Sequence, residues 1–183
     1  MVTGSTSTSI ELAANGLSNF NTVDFGDYRL SAVLGGDASL SFNNRLVTLN
    51  QSESNAILLY LDADNNLTSL AFEESTLPQI YDHQIEVSNL SPDFFEVDLY
   101  FVRKDETIET AQYQLLGLDY ADSRSLTLPS DYYELISVYD DNIDTQILLD
   151  RSELIALNVE ANYIITIEKT LDSPTGYKIS ALF

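Results

Sequence analysis

Short apolar runs alternate with polar residues along the whole chain, and most are punctuated by Gly, Pro, Asn, Asp or Ser. Tyr28, Leu30, Ala32 and Leu34 fall on one face of residues 28–34, a period of two that fits a half-buried strand. Phe20–Phe25 alternates in the same way, and Ile10–Ala13 reads as a further short strand. Gly35-Gly36-Asp37 is a hairpin signal, because glycine takes positive φ without a Cβ penalty. Leu40 and Phe42 mark the next strand, with a turn expected at Asn43-Asn44. Leu46–Leu49, Ala56–Asp62 and Leu67–Phe72 follow, the last two joined by the polar loop Asp62-Ala63-Asp64-Asn65-Asn66.

The second half opens with two strand-like runs, Ile85–Val87 and Phe95–Val102, around a Ser-Pro-Asp turn at Ser91–Asp93. Residues 105–116 fit a helix through Ile108, Ala111 and Leu115, and a strand through Thr107, Glu109, Ala111, Tyr113 and Leu115. The strand-rich neighbourhood favours strand. Leu126–Leu128, Tyr132–Tyr139, Gln146–Leu149, Leu154–Val159, Tyr163–Lys169 and Tyr177–Leu182 complete the series. Short strands at this spacing predict an all-β chain of two tandem, mainly antiparallel β-sandwich domains, Ig-like or transthyretin-like in layering. The expected divisions are a tail over 1–9, a first sandwich over 10–76, a linker over 77–83 and a second sandwich over 84–183. An internal repeat supports the duplication. Asp27–Val33 lies against Tyr132–Val138, Arg45–Leu49 against Glu153–Leu157, and Ile57–Tyr60 against Ile165–Glu168.

Composition narrows the function. The 183 residues carry 29 Asp and Glu against 8 Lys and Arg, a net charge of −21. Such a chain is repelled by nucleic acid and by anionic membrane surfaces, and an acidic surface also keeps a protein soluble. There is no Cys, which removes disulfides, thiol nucleophiles and thiolate metal sites. The longest apolar run, Ala56–Leu61, is far short of the ~20 residues of a membrane-spanning helix. The residues MVTGSTSTS lack the basic and apolar regions of a signal peptide, and read as a tether or a frayed end.

Candidate chemistry is sparse. Asp62, Asp64, Asn66 and Glu73 occupy positions 1, 3, 5 and 12 of a calcium-loop template, but Leu67 stands where that loop needs Gly. Asp140, Asp141, Asn142 and Asp144 form a second oxygen-rich loop. Both are read first as solvated turns and second as weak calcium candidates. His83 is the only imidazole, placed in the linker beside Asp82, with no Gly-x-Ser-x-Gly elbow to serve. Glu73 and Glu74 are adjacent acids with no cleft legible around them. Tyr28, Tyr60, Tyr100, Tyr133 and Tyr163 are expected in the cores, while Tyr81, Tyr120, Tyr132 and Tyr139 lie near turns that can face a ligand.

The segment Ile85–Asp93 followed by Val97-Asp98-Leu99-Tyr100 resembles the opening of bacterial domain-of-unknown-function family 4397. That opening is a strand ending in His or Asn, then Ser-Pro-Asp and a Val-Asp-Val-Tyr strand. Leu118-Asp119-Tyr120, Ser125–Pro129, Tyr132–Val138 and Leu154–Ile167 are similar to its later strands, although Ser130-Asp131 replaces a usual Gly. The resemblance implies a β-sandwich of exported or surface-attached bacterial proteins, often in tandem, and supplies no catalytic residue. The expected function is a non-enzymatic, extracytoplasmic binding, adhesion or structural module whose partner is a protein or glycan at the cell surface. Its alternatives are a calcium- or carbohydrate-binding module using the acidic loops, and a carboxylate-dependent hydrolase.

Overall fold

The computed structural model describes residues 7–13, 16, 18–74, 81–140, 145–157 and 161–182. These residues form an all-β chain with mainly antiparallel sheets.

Residues 82–182 enclose one core between two sheets. The elements are β5 (Asp82–Leu90), β6 (Glu96–Val102), β7 (Tyr113–Asp119), β8 (Ser123–Pro129), β9 (Asp131–Asp140), β10 (Gln146–Arg151), β11 (Ile155–Leu157), β12 (Tyr163–Lys169) and β13 (Tyr177–Leu182). One sheet has the order β10-β9-β6-β7, with β11 also on β9; the other has the order β13-β12-β5-β8. Only β12 and β5 are parallel neighbours among the paired strands. Alternate residues from both sheets meet inside: Leu99, Phe101, Tyr133 and Leu135 from the first, Ile85, Val87, Ile165 and Ile167 from the second. Removing one such side chain to Ala typically costs about 2–5 kcal/mol. Tyr133 anchors this interior with edge-on contacts to Phe101 and Tyr113, and its hydroxyl donates to the Pro129 carbonyl at 3.0 Å.

Residues 26–74 form two two-stranded antiparallel sheets, β1 (Gly26–Leu34) with β2 (Asp37–Leu49) and β3 (Ser54–Leu61) with β4 (Leu67–Glu74). These occupy the expected first sandwich. Gly35 and Gly36, at φ 58° and 76°, make the tight β1–β2 turn that only glycine enters without strain. Arg45 reaches across from β2 to donate to the Ser69 carbonyl of β4.

Several expectations need correction. Asn43-Asn44 does not turn the chain: β2 runs unbroken, its register slipping at irregularities opposite Leu30–Ala32. Ile10–Ala13 and Phe20–Phe25 are not strands, because no described backbone pairs with them; alternation alone does not make a ladder. Residues 105–112 are not strand either. Arg103 clamps Glu106 at 2.6 Å, and the Thr110 hydroxyl accepts from the Thr107 N–H at 2.8 Å. The chain therefore turns through a short 3-10 segment, Ile108–Thr110, whose Ile108 and Ala111 cover Tyr100, Val102, Ile136 and Val138 on the outer face of the sheet. Strand resumes at Tyr113. In the linker expected at 77–83, Asp82 and His83 belong to β5; residues 77–80 of that stretch lie outside the described residues.

The Ser-Pro-Asp corner locks the two sheets. Asn89, fully buried, donates from Nδ2 to the Leu118 carbonyl at 3.0 Å and accepts the Ser91 N–H on Oδ1 at 2.9 Å. Its backbone carbonyl accepts Ala121 N–H at 2.7 Å, and the Ser91 hydroxyl donates to the Ile167 carbonyl at 3.3 Å. Asn89→Leu would leave a buried carbonyl and a buried N–H unpaired, each worth about 1–3 kcal/mol. Urea unfolding should show a loss of roughly 2–5 kcal/mol with an unchanged m-value.

Candidate functional site

The oxygen-rich loop between β3 and β4 is a turn held by its own carboxylate. Asp62 Oδ1 accepts the N–H groups of Asp64 at 2.9 Å and Asn66 at 2.8 Å, and the Asn66 amide lies 3.4 Å from each Asp62 oxygen. Asn65 completes the reversal at φ 60°. Asx-type bonding of this kind is what Asp and Asn do in turns. Glu73 pairs opposite Asn55, at the far end of the hairpin, so the calcium template does not assemble. The loop is instead tied to the second half, where the Tyr120 hydroxyl accepts the Ala63 N–H at 2.8 Å. Asp140 is the last residue of β9, paired with Gln146; Asp141, Asn142 and Asp144 lie outside the described residues. Among the described residues, no group of three or more His, Cys, Asp or Glu side chains is placed to hold a metal ion.

His83 lies in β5, and its ring is fully buried. Nε2 is 2.9 Å from the Ser130 hydroxyl, Nδ1 has no hydrogen-bond partner, and the ring meets Tyr163 edge-on at 5.6 Å. This is a packed core histidine closing the end of the second sheet, with no access for a substrate. Glu73 and Glu74 face a shallow cleft of about 350 Å³ together with Phe72, Gln84, Glu86 and Ser125. Two of its carboxylates are held locally: Glu86 accepts from Gln84 at 2.9 Å and Ser125 at 2.5 Å, and Glu74 from Ser54 at 3.0 Å.

The strongest polar constellation is one that sequence spacing hides. Asp93, from the Ser-Pro-Asp corner, meets Lys169 Nζ at 2.7 Å, and the Tyr177 hydroxyl donates to it at 2.6 Å. Phe94 stacks against Tyr139 and Tyr177, with centroids 4.6 and 4.8 Å away. The Lys169 ammonium and then the Tyr177 hydroxyl hold the Asp93 carboxyl below its ordinary range. Burial, and then the Asp93 carboxylate, pushes the Tyr177 phenol up to about 12. Nothing in the alternation of either segment signals that β12 and β13 would return to this corner; only the polar residues at the turn hint at it. The tyrosines expected to face a ligand divide: Tyr81 and Tyr132 are exposed, while Tyr139 packs and Tyr120 caps the Asp62 loop.

Comparison with family models, curated proteins and solved structures found no match to this chain.

Two outcomes follow from these contacts. Asp93 has a lowered folded pKa, so its contribution to stability is complete above its unfolded value near 3.8 and is lost as pH falls through the folded value. Tyr177 has a raised folded pKa, so its contribution is complete below 10 and is lost as pH rises towards about 12. Asp93→Asn should lower the late phase of tyrosinate absorbance towards 10 without reaching it, because burial of the phenol remains. For His83, calorimetry should find His83→Leu milder than His83→Ala. The Leu variant fills the space and removes an unpaired nitrogen, while the Ala variant opens a cavity costing about 2–4 kcal/mol.

Proposed function

We propose that this chain is a non-enzymatic binding, adhesion or structural module working outside the cytoplasm, with Ig-like or transthyretin-like sandwich layering in tandem. The observation that carries this reading is where the large apolar side chains stay uncovered. Phe20, Phe25, Val33, Leu34, Leu46 and Ile57 are exposed in the first half, whereas among the described residues only Leu67 and Phe72 before β5 are buried hydrophobics. A contiguous exposed apolar patch marks a surface that another molecule covers, and the proposal is that these side chains form one.

Two further features support the reading. The Tyr133 hydroxyl bonded back to Pro129 is a device of Greek-key sandwiches. The resemblance over 84–183 points to exported or surface-attached bacterial proteins, whose partners are proteins or glycans of the cell surface. The buried polar groups around Asn89 and Ser91 are spent on holding the fold together.

The immobilised full chain, screened against panels of surface proteins and surface glycans, should retain at least one partner. Binding should fall when the exposed Phe20 and Phe25 are both changed to Ser, with the far-UV spectrum unaltered. A panel without any partner, or binding indifferent to those changes, would sink the proposal.

A further inference from the structure

Strands present successive side chains to opposite faces, so the residues between the core-facing ones of β5 and β12 point away from the interior. Ser88, Ile164 and Thr166 are among them, yet they are not on the surface. Ser88 is 0% exposed, Thr166 3% and Ile164 9%. The register carries this line across the sheet: Ser123 stands opposite Ser88, Thr166 beside Ser88, and Ser180 opposite Thr166. A row of four hydroxyl residues therefore crosses the outer face of the β13-β12-β5-β8 sheet. An outer face that is buried at its centre has another layer over it.

Two observations identify that layer as the β3–β4 hairpin. Phe72, Glu73 and Glu74 of β4 line one cleft with Gln84, Glu86 and Ser125, all three on the outward side of β5 and β8. At the other end of β4 the turn is clasped, where the Tyr120 hydroxyl between β7 and β8 accepts the Ala63 N–H at 2.8 Å. The sandwich beneath does not need this layer for its own interior. Among the described residues, no side chain of residues 26–74 belongs to the core between its two sheets.

Opposing forces act on the hairpin. Phe72, which is buried, and the Tyr120 clasp hold it down. Glu73 and Glu74 share their cleft with Glu86, and no Lys or Arg among the described residues lines it. Carboxylates placed this way repel across the cleft at low salt, where the Debye length is ~30 Å at 0.01 M, and are screened at 1 M, where it is ~3 Å. From this we infer that the β3–β4 hairpin is a salt-sensitive cover on the outer face of the β13-β12-β5-β8 sheet, lifting from the hydroxyl row while residues 82–182 stay folded. The closed form is the one in the structure, and low salt raises the population of the open one. This goes beyond the binding reading and does not rest on it, because the motion belongs to the chain with or without a partner.

Thiol labelling of the full chain tests the cover. The chain has no Cys, so one introduced thiol reports on one position. Ser88→Cys and Thr166→Cys place it beneath the hairpin; Ser137→Cys places it in the core between the sheets, where Ser137 is 0% exposed. At low salt the first two should be labelled at least about tenfold faster than the third, since local opening takes less free energy than unfolding of the whole sandwich. Their rates should fall as salt rises from about 0.01 M to about 1 M. Glu73→Gln, Glu74→Gln and Glu86→Gln together should slow them at low salt and remove the salt dependence. Tyr120→Phe should raise them about two- to tenfold through the lost hydrogen bond. Two positions beneath the hairpin are labelled so that a misfolded variant at one leaves the other to decide. Labelling there no faster than at Ser137→Cys would overturn the cover, and so would rates indifferent to salt or to the three Gln substitutions. A surface screen that finds a partner alongside such a result would leave the binding module standing without the cover.

Discussion

Asn89 is the point on which the second half of the chain depends. Its backbone stands at the end of β5, where β12 joins in parallel and pairs Ile167 opposite it. Parallel neighbours cannot be joined by a tight hairpin, so β5 and β12 meet only across the long stretch of chain between them. The side chain of Asn89 then fixes that meeting. It holds the Leu118 carbonyl of β7 in the opposite sheet and the Ser91 N–H of its own turn, while the Ser91 hydroxyl takes the Ile167 carbonyl. Three separate parts of the sequence are held at one buried corner by groups that have no other means of being satisfied there. In a low-dielectric interior such a network favours one arrangement, because every alternative leaves a polar group unpaired.

The outer layer of the same corner is electrostatic. Asp93 sits two residues beyond Ser91 and takes both Lys169 and Tyr177, so β12 and β13 are held from the solvent side as well as from within. Both contacts are partly solvated, and their contribution is modest beside the buried amide. Their value lies in register. A slip of β13 by one residue would point Tyr177 away from Asp93 and turn Ile179 out of the core.

How much of this the sequence discloses depends on the range of each interaction. Local patterns translated directly: the paired glycines at 35 and 36, the Asp62 loop, and the bounds of β12 and β13 all follow from alternation and turn chemistry. Ser91–Asp93 is recognisable as a turn, but its role as a corner depends on Leu118, Ile167, Lys169 and Tyr177, which no spacing rule connects to it. Residues 105–116 misled because Ala111 and Leu115 satisfy both periods, and the choice between them belongs to the outer face of β6 and β9, which Ile108 and Ala111 cover. Phe20–Phe25 misled for the opposite reason. Its alternation is genuine, but a strand also needs a neighbour, and the sequence of one segment says nothing of whether its neighbour is there. His83 reads as polar and is buried, since the core it fills is assembled from β5 and β12.

The acidity of the chain and the edges of β1 and β3 that no described strand covers make sense together. An exposed edge with apolar residues beside it is a standing invitation to pair with any extended backbone, and proteins guard such edges with charge. At −21 the chain repels its own copies before edges can meet. Asp24 and Asp27 flank the start of β1, and Asp62 and Asp64 the end of β3, so the repulsion is strongest where pairing would begin. The same charges do not act against a basic strand; they draw it in, raising the rate of encounter more than the final affinity.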